Sequence, residues 1–254
     1  MAKPLLSVAI ITFNEEKNIG RTINSVRDIA DEIIVVDSHS TDRTRDIAMS
    51  LGARVFEEDW KGFIKQKNSA LSKCKGEWIL CLDADEEVSG QLKNSILKAI
   101  KRPSADGYMI NRKLFFCGKL MRFTFQPEWR LRLVRRSAKP EWIGGEPHDV
   151  LEISGKVKKL KGDLIHHSYT GITDLIEKTI IYSRASAETY MKLGKKAGLH
   201  NLLLNPAWIF LRDYILKLGV LDGSRGLILC GSRAIGTFLK YALLWKLHQV
   251  RSRT

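Results

Sequence analysis

Along the first hundred residues, short apolar runs alternate with segments whose apolar positions recur every three or four residues. Leu5–Phe13 is dense in Val and Ile and predicts a buried strand, whereas Ile19, Ile23, Val26 and Ala30 place one helical face within Lys17–Ala30. Glu32–Val36 predicts a second strand. Asp42–Leu51 follows as a helix, with Ser40 or Thr41 as its cap and Gly52 as its stop. Arg54–Glu57, Phe63–Lys73 and Glu77–Leu82 then read as strand, helix and strand. Strands that are apolar throughout, in βαβαβαβ order, imply a sheet buried on both sides. The expected class is α/β, a mostly parallel twisted sheet with helices on both faces, followed by a C-terminal helical extension.

Further on, the pattern changes. Between Asn111 and Lys139 nine bases accompany a single acid, Glu128, and Arg130 and Arg132 alternate along a strand-like run, so both point to one face. The loop Trp142-Ile-Gly-Gly-Glu-Pro-His148-Asp149 precedes a strand-like run to His166-His167-Ser168-Tyr169, and Thr173–Leu193 reads as an amphipathic helix ended by Gly194. Asn205-Pro206 marks a helix start and Gly219 its stop. A last helix over Ser224–Leu247 sets Leu227, Ala234, Phe238, Tyr241 and Trp245 on one face and Arg225, Arg233 and Lys240 on another. An apolar face bordered by bases either lies in the interface of an anionic membrane or caps the domain core. The expected division is a domain at 1–197, with halves at about 1–105 and 106–197, and a basic helical extension at 198–254.

Composition narrows the class without choosing the chemistry. The 254 residues carry a formal net charge of +14, with 44% hydrophobic and 28% charged residues, which excludes general disorder and collagen-like repeats. The start has no small-residue cleavage site and reads as a first strand. Cys74, Cys81, Cys117 and Cys230 form no Cys-x-x-Cys pair, which argues against a disulfide framework or zinc site and fits a reducing cytoplasm. The uncharged stretches fall short of the roughly 20 residues a span needs, so no transmembrane helix is expected. So basic a chain suits nucleic acid, an anionic membrane face or phosphorylated small molecules.

The chemistry collects at strand ends, where ligands of such sheets bind. The first strand runs into Thr12-Phe13-Asn14-Glu15-Glu16, the second into Asp37-Ser38-His39-Ser40-Thr41-Asp42, and the fourth into Asp83-Ala84-Asp85. No Gly-x-Gly-x-x-Gly, Walker A loop, Gly-x-Ser-x-Gly elbow or His-Glu-x-x-His helix occurs. A calcium loop starting at Asp83 fails, because Val88 and Asn94 stand where Gly and a bidentate Glu are needed. Two carboxylates spaced i, i+2 at a strand end suit Mg²⁺ or Mn²⁺, held together with substrate phosphates.

Leu-Ser-Val-Ala-Ile-Ile-Thr-Phe-Asn-Glu-Glu, Val-Val-Asp37-Ser-His-Ser-Thr-Asp-Arg-Thr and Trp-Ile-Leu-Cys-Leu-Asp83-Ala-Asp85-Glu-Glu together resemble the three successive motifs of family 2 inverting glycosyltransferases. Arg130-Leu-Arg-Leu-Val-Arg-Arg, Trp142 through His148-Asp149, His166-His-Ser-Tyr and Leu221-Asp-Gly-Ser-Arg-Gly look like the small lipopolysaccharide core glucosyltransferase branch. The resemblance implies a Rossmann-like nucleotide-diphospho-sugar transferase fold, with the nucleotide-sugar half near 1–105 and the acceptor half near 106–197. Asn14, Glu15 and Asp37 would bind uridine and ribose, with Thr12 beside them. For Asn14 and Glu15 the structural alternative is helix capping, and Ser38, Ser40 and Thr41 read better as turn residues. Lys67 and Asn68 would face the nucleotide, with a solvated helix face as the alternative for Lys67. Asp83 would face the nucleotide-sugar, and Asp85 the metal. Arg130 and Arg132 would handle phosphate, and His166 is a metal or phosphate contact or a core histidine.

For the catalytic base the resemblance points to Asp149, where many relatives carry Glu, with His148 as its rival. The Gly144-Gly145-Glu-Pro147 loop would close over substrate. Gln126-Pro-Glu-Trp129-Arg130 is not the Gln-x-x-Arg-Trp of processive synthases, so a single transfer is expected. The implied reaction moves glucose from UDP-glucose onto a lipopolysaccharide inner-core acceptor at the cytoplasmic face of the inner membrane, without nucleic acid. Another cell-surface glycolipid or glycan is an alternative acceptor. A sugar nucleotidyltransferase would need a Gly-rich loop where Asn14-Glu15-Glu16 stands.

Overall fold

The structure is a computed structural model that describes residues 5–145 and 148–251. Two compact units emerge: residues up to Lys113 with Glu128–His167, and Leu114–Pro127 with Ser168 onward. Helix α5 (Ile172–Lys192), read from sequence as part of the acceptor half, belongs to the second unit.

The first unit opens with β1 (Leu6–Thr12), α1 (Ile19–Asn24), β2 (Glu32–Asp37), α2 (Thr44–Ser50), β3 (Arg54–Glu57), α3 (Phe63–Lys73) and β4 (Trp78–Asp83). Strands β3, β2, β1 and β4 are neighbours in that order and all parallel. Past β4 the sheet is mixed. It continues through β8 (Trp129–Arg135), β6 (Gly107–Phe116), β11 (Val157–His166) and β5 (Glu86–Val88), with β8 antiparallel to both β4 and β6. Helix α4 (Gly90–Lys101) follows β5, and β9 (Glu141–Gly145) pairs with β10 (His148–Glu152) as a separate antiparallel ribbon.

The pleat sorts the sheet into two cores. Leu6, Val8 and Ile10 of β1 pack with Ile19 and Ile23 of α1 and Leu92 and Ile96 of α4. The intervening Ala9 and Ile11 pack with Ile34, Cys81, Trp142 and Ala70 and Leu71 of α3. A period of two therefore fixes where each strand-end side chain points. Asp37 continues the line of Ile33 and Val35 toward the α1 side, while Asp83 continues Ile79 and Cys81 toward α3.

The second unit joins the end of β6 and β7 (Lys119–Leu120) to α5, α6 (Leu199–Phe210) and α7 (Ser224–Arg251). Its small core is Leu114, Phe116, Met121, Leu175 and Leu229. Asp222 accepts the backbone N–H groups of Arg122, Phe123 and Thr124 at 3.0, 3.0 and 2.7 Å. Burial works against its charge, but these bonds hold its carboxyl below the ordinary value. Hydroxyls join α5 to α7: Ser183 donates to the Gly236 carbonyl at 2.9 Å, and Thr179 and Ser232 share a bond of 2.7 Å.

Two sequence expectations change in this unit. Helix α6 begins at Leu199 and carries Pro206 inside it, continuing as a π-helical turn over Leu211–Leu216. Asn201 provides the earlier start, its side chain accepting from the Gly198 N–H at 2.9 Å. Among the described residues one helix, over Ser224–Gln249, is long and apolar enough to cross a membrane by length and composition, with a window of mean hydropathy 1.4 that is 22% buried. No unbroken apolar run marks it in the sequence, because Arg225, Arg233 and Lys240 punctuate the helix singly, which its average hydropathy tolerates.

Candidate active site

Strands β1, β2 and β4 end level. Thr12 stands opposite Asp37 and Ile11 opposite Asp83 in parallel register, so the two acids lie about 10 Å apart across β1 at the strand spacing of about 4.8 Å.

The β1 and β2 exits are laced into each other. The chain turns left-handed at Asn14 (φ 53°) and His39 (φ 60°), an unusual conformation for non-glycine residues. Asp37 is fully buried and accepts the Ser40 N–H at 2.7 Å and its hydroxyl at 2.5 Å. Ser40 Oγ in turn accepts the Asn14 N–H, and Asn14 Oδ1 accepts the Thr41 N–H, both at 2.8 Å. Glu15 donates its N–H to Thr44 Oγ1 at 2.8 Å and accepts from the Asn18 side chain at 2.8 Å. Asp37, Asn14 and Glu15 thus build the wall of this corner, whereas Phe13 beside them is 55% exposed. Thr12 Oγ1 and Ser38 Oγ are buried there without a partner among the described residues, and such groups favour filling by a polar ligand.

A second cluster forms around Asp83. Lys67 of α3 places Nζ 2.7 Å from Asp149 Oδ2 and 3.1 Å from Asp83 Oδ1, lying 4.3 Å above the centre of the Trp142 ring. Trp142 is clamped through its backbone: Asn68 accepts its N–H and donates to its carbonyl, both at 2.8 Å. Asp149 pairs in register with Gly144 across the β9–β10 ribbon, so no side chain stands opposite it. A small cleft opens here, lined by Ile11, Lys67, Ala70, Cys81, Asp83 and Trp142 among others.

Arg130 and Arg132, expected to act together on phosphate, separate. Arg132 is buried, its Nη2 lying 2.8 Å from both Asp83 Oδ2 and Glu86 Oε1. Arg130 is exposed and paired to Glu128 at 2.8 Å, and Glu128 also holds Arg112 at 2.6 Å. Burial alone would raise the Asp83 carboxyl, but Arg132, Lys67 and Arg112 hold it well below the usual carboxylate range. Glu128 is likewise opposed by burial yet brought down to about 2 by Arg112 and Arg130. Glu86 is fully buried and caps the Asp83 N–H at 3.0 Å.

Asp85 looks elsewhere. Its Oδ2 lies 3.2 Å from His166 Nε2, with both side chains about one-fifth exposed. Among the described residues no three His, Cys, Asp or Glu side chains gather closely enough to hold an ion alone. A partly exposed carboxylate beside an imidazole does fit a divalent cation that takes its remaining ligands from phosphate and water. The His148 side chain and residues Glu146 and Pro147, and with them the rival base and the closing loop, lie outside the described residues.

Lys67 and Asp149 are 82 residues apart, Arg132 and Glu86 46 apart, so neither pairing can be read from spacing. Glu86 stands out less in the sequence than the Asp-x-Asp pair beside it, although an acid following a buried strand with a basic strand downstream is a signal for it. Trp142 is visible in the sequence as the aromatic before the Gly-Gly pair, but its place beneath Lys67 is not.

Comparison with known proteins supplies the family. The sequence model of glycosyl transferase family 2 matches residues 7–151. An uncharacterized glycosyltransferase of Rickettsia typhi is 34% identical over 95% of this chain and 87% of its own length. The lipopolysaccharide core biosynthesis glycosyltransferase LpsC of Rhizobium meliloti is 29% identical over 98% of this chain and 94% of its own. Among solved structures, S. aureus TarS 1–349 superposes with a TM-score of 0.49 at 16% identity, covering 97% of this chain and 91% of that one. With its strand-end acids, its Rossmann-like sheet and a family match across more than half its length, the chain belongs to glycosyl transferase family 2 and is a glycosyltransferase.

Proposed function

We propose that the enzyme transfers a single hexose, glucose from UDP-glucose, to an inner-core lipopolysaccharide acceptor with inversion at the anomeric carbon. The observation carrying this reading is the single ammonium of Lys67 held between Asp83 and Asp149, which sets a donor-side acid beside an acid suited to act as base. The Asp149 carboxylate takes the acceptor hydroxyl proton as that oxygen attacks the anomeric carbon. The new C–O bond forms on the face opposite UDP, and the bond to the diphosphate oxygen breaks with its electron pair leaving on UDP. Asp85, with His166 beside it, would hold Mg²⁺ or Mn²⁺, which when bound neutralises the leaving diphosphate. Thr12, Asn14, Glu15 and Asp37 shape the nucleoside corner, and similarity to LpsC supports the acceptor class.

Radiolabelled UDP-glucose with core-deficient lipopolysaccharide tests this directly. Label enters the lipopolysaccharide only with added Mg²⁺ or Mn²⁺, and Asp85→Ala lowers transfer by about 100-fold, the scale of losing a few kcal/mol of charge stabilisation. Transfer that survives both chelation and Asp85→Ala would overturn the metal assignment.

The same reading places the enzyme peripherally on the cytoplasmic face of an anionic membrane. It is supported by the exposed apolar residues of α6 and the turns after it, among them Leu203, Leu204, Trp208 and Leu216, and by the exposed bases Lys195, Lys196 and Lys217. The protein is expected to float with vesicles containing phosphatidylglycerol, to release in high salt, and to lose binding on combined Leu204→Ser and Trp208→Ser substitution. Equal flotation with purely zwitterionic vesicles would count against an electrostatic contribution.

A further inference from the structure

Lys67 is placed to do two jobs that exclude each other. Its ammonium has three N–H donors; in this structure it donates to Asp149 Oδ2 at 2.7 Å and is ion-paired with Asp83 Oδ1 at 3.1 Å. The side chain is only 10% exposed and is pinned from below by the Trp142 ring at 4.3 Å, so Nζ has little room to move while both acids hold it. The two acids differ in what they would lose. Asp83 keeps Arg132 at 2.8 Å, whereas among the described residues Lys67 is the cation within ion-pair distance of Asp149. Releasing Lys67 therefore leaves Asp83 neutralised and frees Asp149 alone.

We propose that Lys67 is a positioning residue that orders the reaction, holding Asp149 in the donor-free enzyme and passing to the diphosphate of the arriving nucleotide-sugar. The inference rests on the reading of Asp149 as the base and of this edge as the donor site. A diphosphate brings at least two negative charges and several acceptor oxygens to the ammonium, against one carboxylate oxygen from Asp149. Once Lys67 has turned to it, Asp149 Oδ2 is open to the acceptor hydroxyl and can take its proton as the glycosidic bond forms and UDP departs. Before the donor arrives, acceptor hydroxyl and ammonium compete for that oxygen. Donor binding thus precedes productive acceptor binding.

The consequence is a coupling between the Asp149 carboxylate and diphosphate affinity, which calorimetric titration with UDP and MgCl₂ reads without any turnover. Asp149→Asn keeps the shape of the side chain and removes its hold on Lys67, so UDP is expected to bind at least about fivefold more tightly, the lower end of usual coupling strengths. In a Lys67→Met background, which keeps the stem over Trp142, the same substitution leaves UDP affinity unchanged. Uridine, lacking phosphate, binds equally to all four proteins. Lys67→Gln completes the same cycle if Lys67→Met does not fold.

Tightening that persists without Lys67, or no tightening in Asp149→Asn, overturns the coupling while leaving the donor site standing. A wild-type protein that binds no UDP overturns the donor reading and the coupling with it.

Discussion

Asp149→Asn is expected to lower the rate of sugar transfer by about 10²–10⁴-fold, the usual contribution of a positioned general base. The substitution removes one charge and no volume, and Lys67 keeps Asp83 as a partner at 3.1 Å. The variant should therefore fold with an unchanged melting temperature, and the loss falls on kcat. Asp149→Glu, one methylene longer, retains part of the activity because the acid remains on the same β10 position opposite Gly144. The informative contrast is His148→Gln assayed beside it. A collapse of kcat in His148→Gln with near-normal turnover in Asp149→Asn would move the base to the neighbouring residue and remove the reason for Lys67 to be shared.

The second large effect concerns stability. Arg132 is buried between Asp83 and Glu86, each 2.8 Å from the same nitrogen. Arg132→Met leaves the buried Glu86 and the partly buried Asp83 without their main cation, and breaking a buried pair by removing one partner costs about 3–5 kcal/mol. For a chain of this length that corresponds to a fall of about 6–20 °C in melting temperature.

The pH dependence gives this prediction a sign. Asp83 and Glu128 have carboxyls held below their unfolded values, Glu128 going from 4.5 to about 2. Such groups contribute stability that is complete above the unfolded value and lost as pH falls through the folded one. Wild-type protein should melt at a steady temperature above about pH 5 and progressively lower between pH 4.5 and about 2. In Arg132→Met the Asp83 carboxyl can take up a proton more easily, so the difference between the two proteins is largest near neutrality and narrows toward acid. Melting curves that coincide at pH 7 would show that the triad adds nothing to stability.

Where local pattern decides the structure, the sequence is easy to read. The strands Arg54–Glu57 and helix Phe63–Lys73 lie where periodicity puts them, because each is short, bounded by turn residues and committed to one face of a sheet. Gly194 ends α5 in the left-handed region at φ 67°, as a glycine after a basic last turn should. The acids at the strand ends are legible for the same reason: a pleated strand that stops level with its neighbours presents its last residues along one edge.

The partners of those acids are another matter. Asp37 looks from sequence like a group reaching outward, yet Ser40, three residues on, satisfies both its oxygens. The alternation of Arg130 and Arg132 is plain in the chain, but which of them is swallowed by Asp83 and Glu86 depends on β8 lying against β4. Helix α6 differs in the opposite sense, a local signal being overridden by its surroundings. Pro206 suits a first turn so well that it hides the preceding Leu199–Asn205 turns, capped by Asn201. A proline tolerated inside a helix and an ion pair across 82 residues are both products of packing, which no local pattern encodes.

The turn that carries Ala84 and Asp85 occupies the two positions between β4 and β5. Thr22 donates its hydroxyl to the Ala84 carbonyl at 2.7 Å, and the His167 N–H donates to the Asp85 carbonyl at 2.9 Å. Both peptide oxygens are staked, one from α1 and one from the end of β11. An inserted or deleted residue here would tear one stake or shift the register of a strand, so this corner has no freedom to lengthen. Diversification of substrate among relatives that keep such a corner must then proceed by exchanging side chains around it and by remodelling longer connections elsewhere.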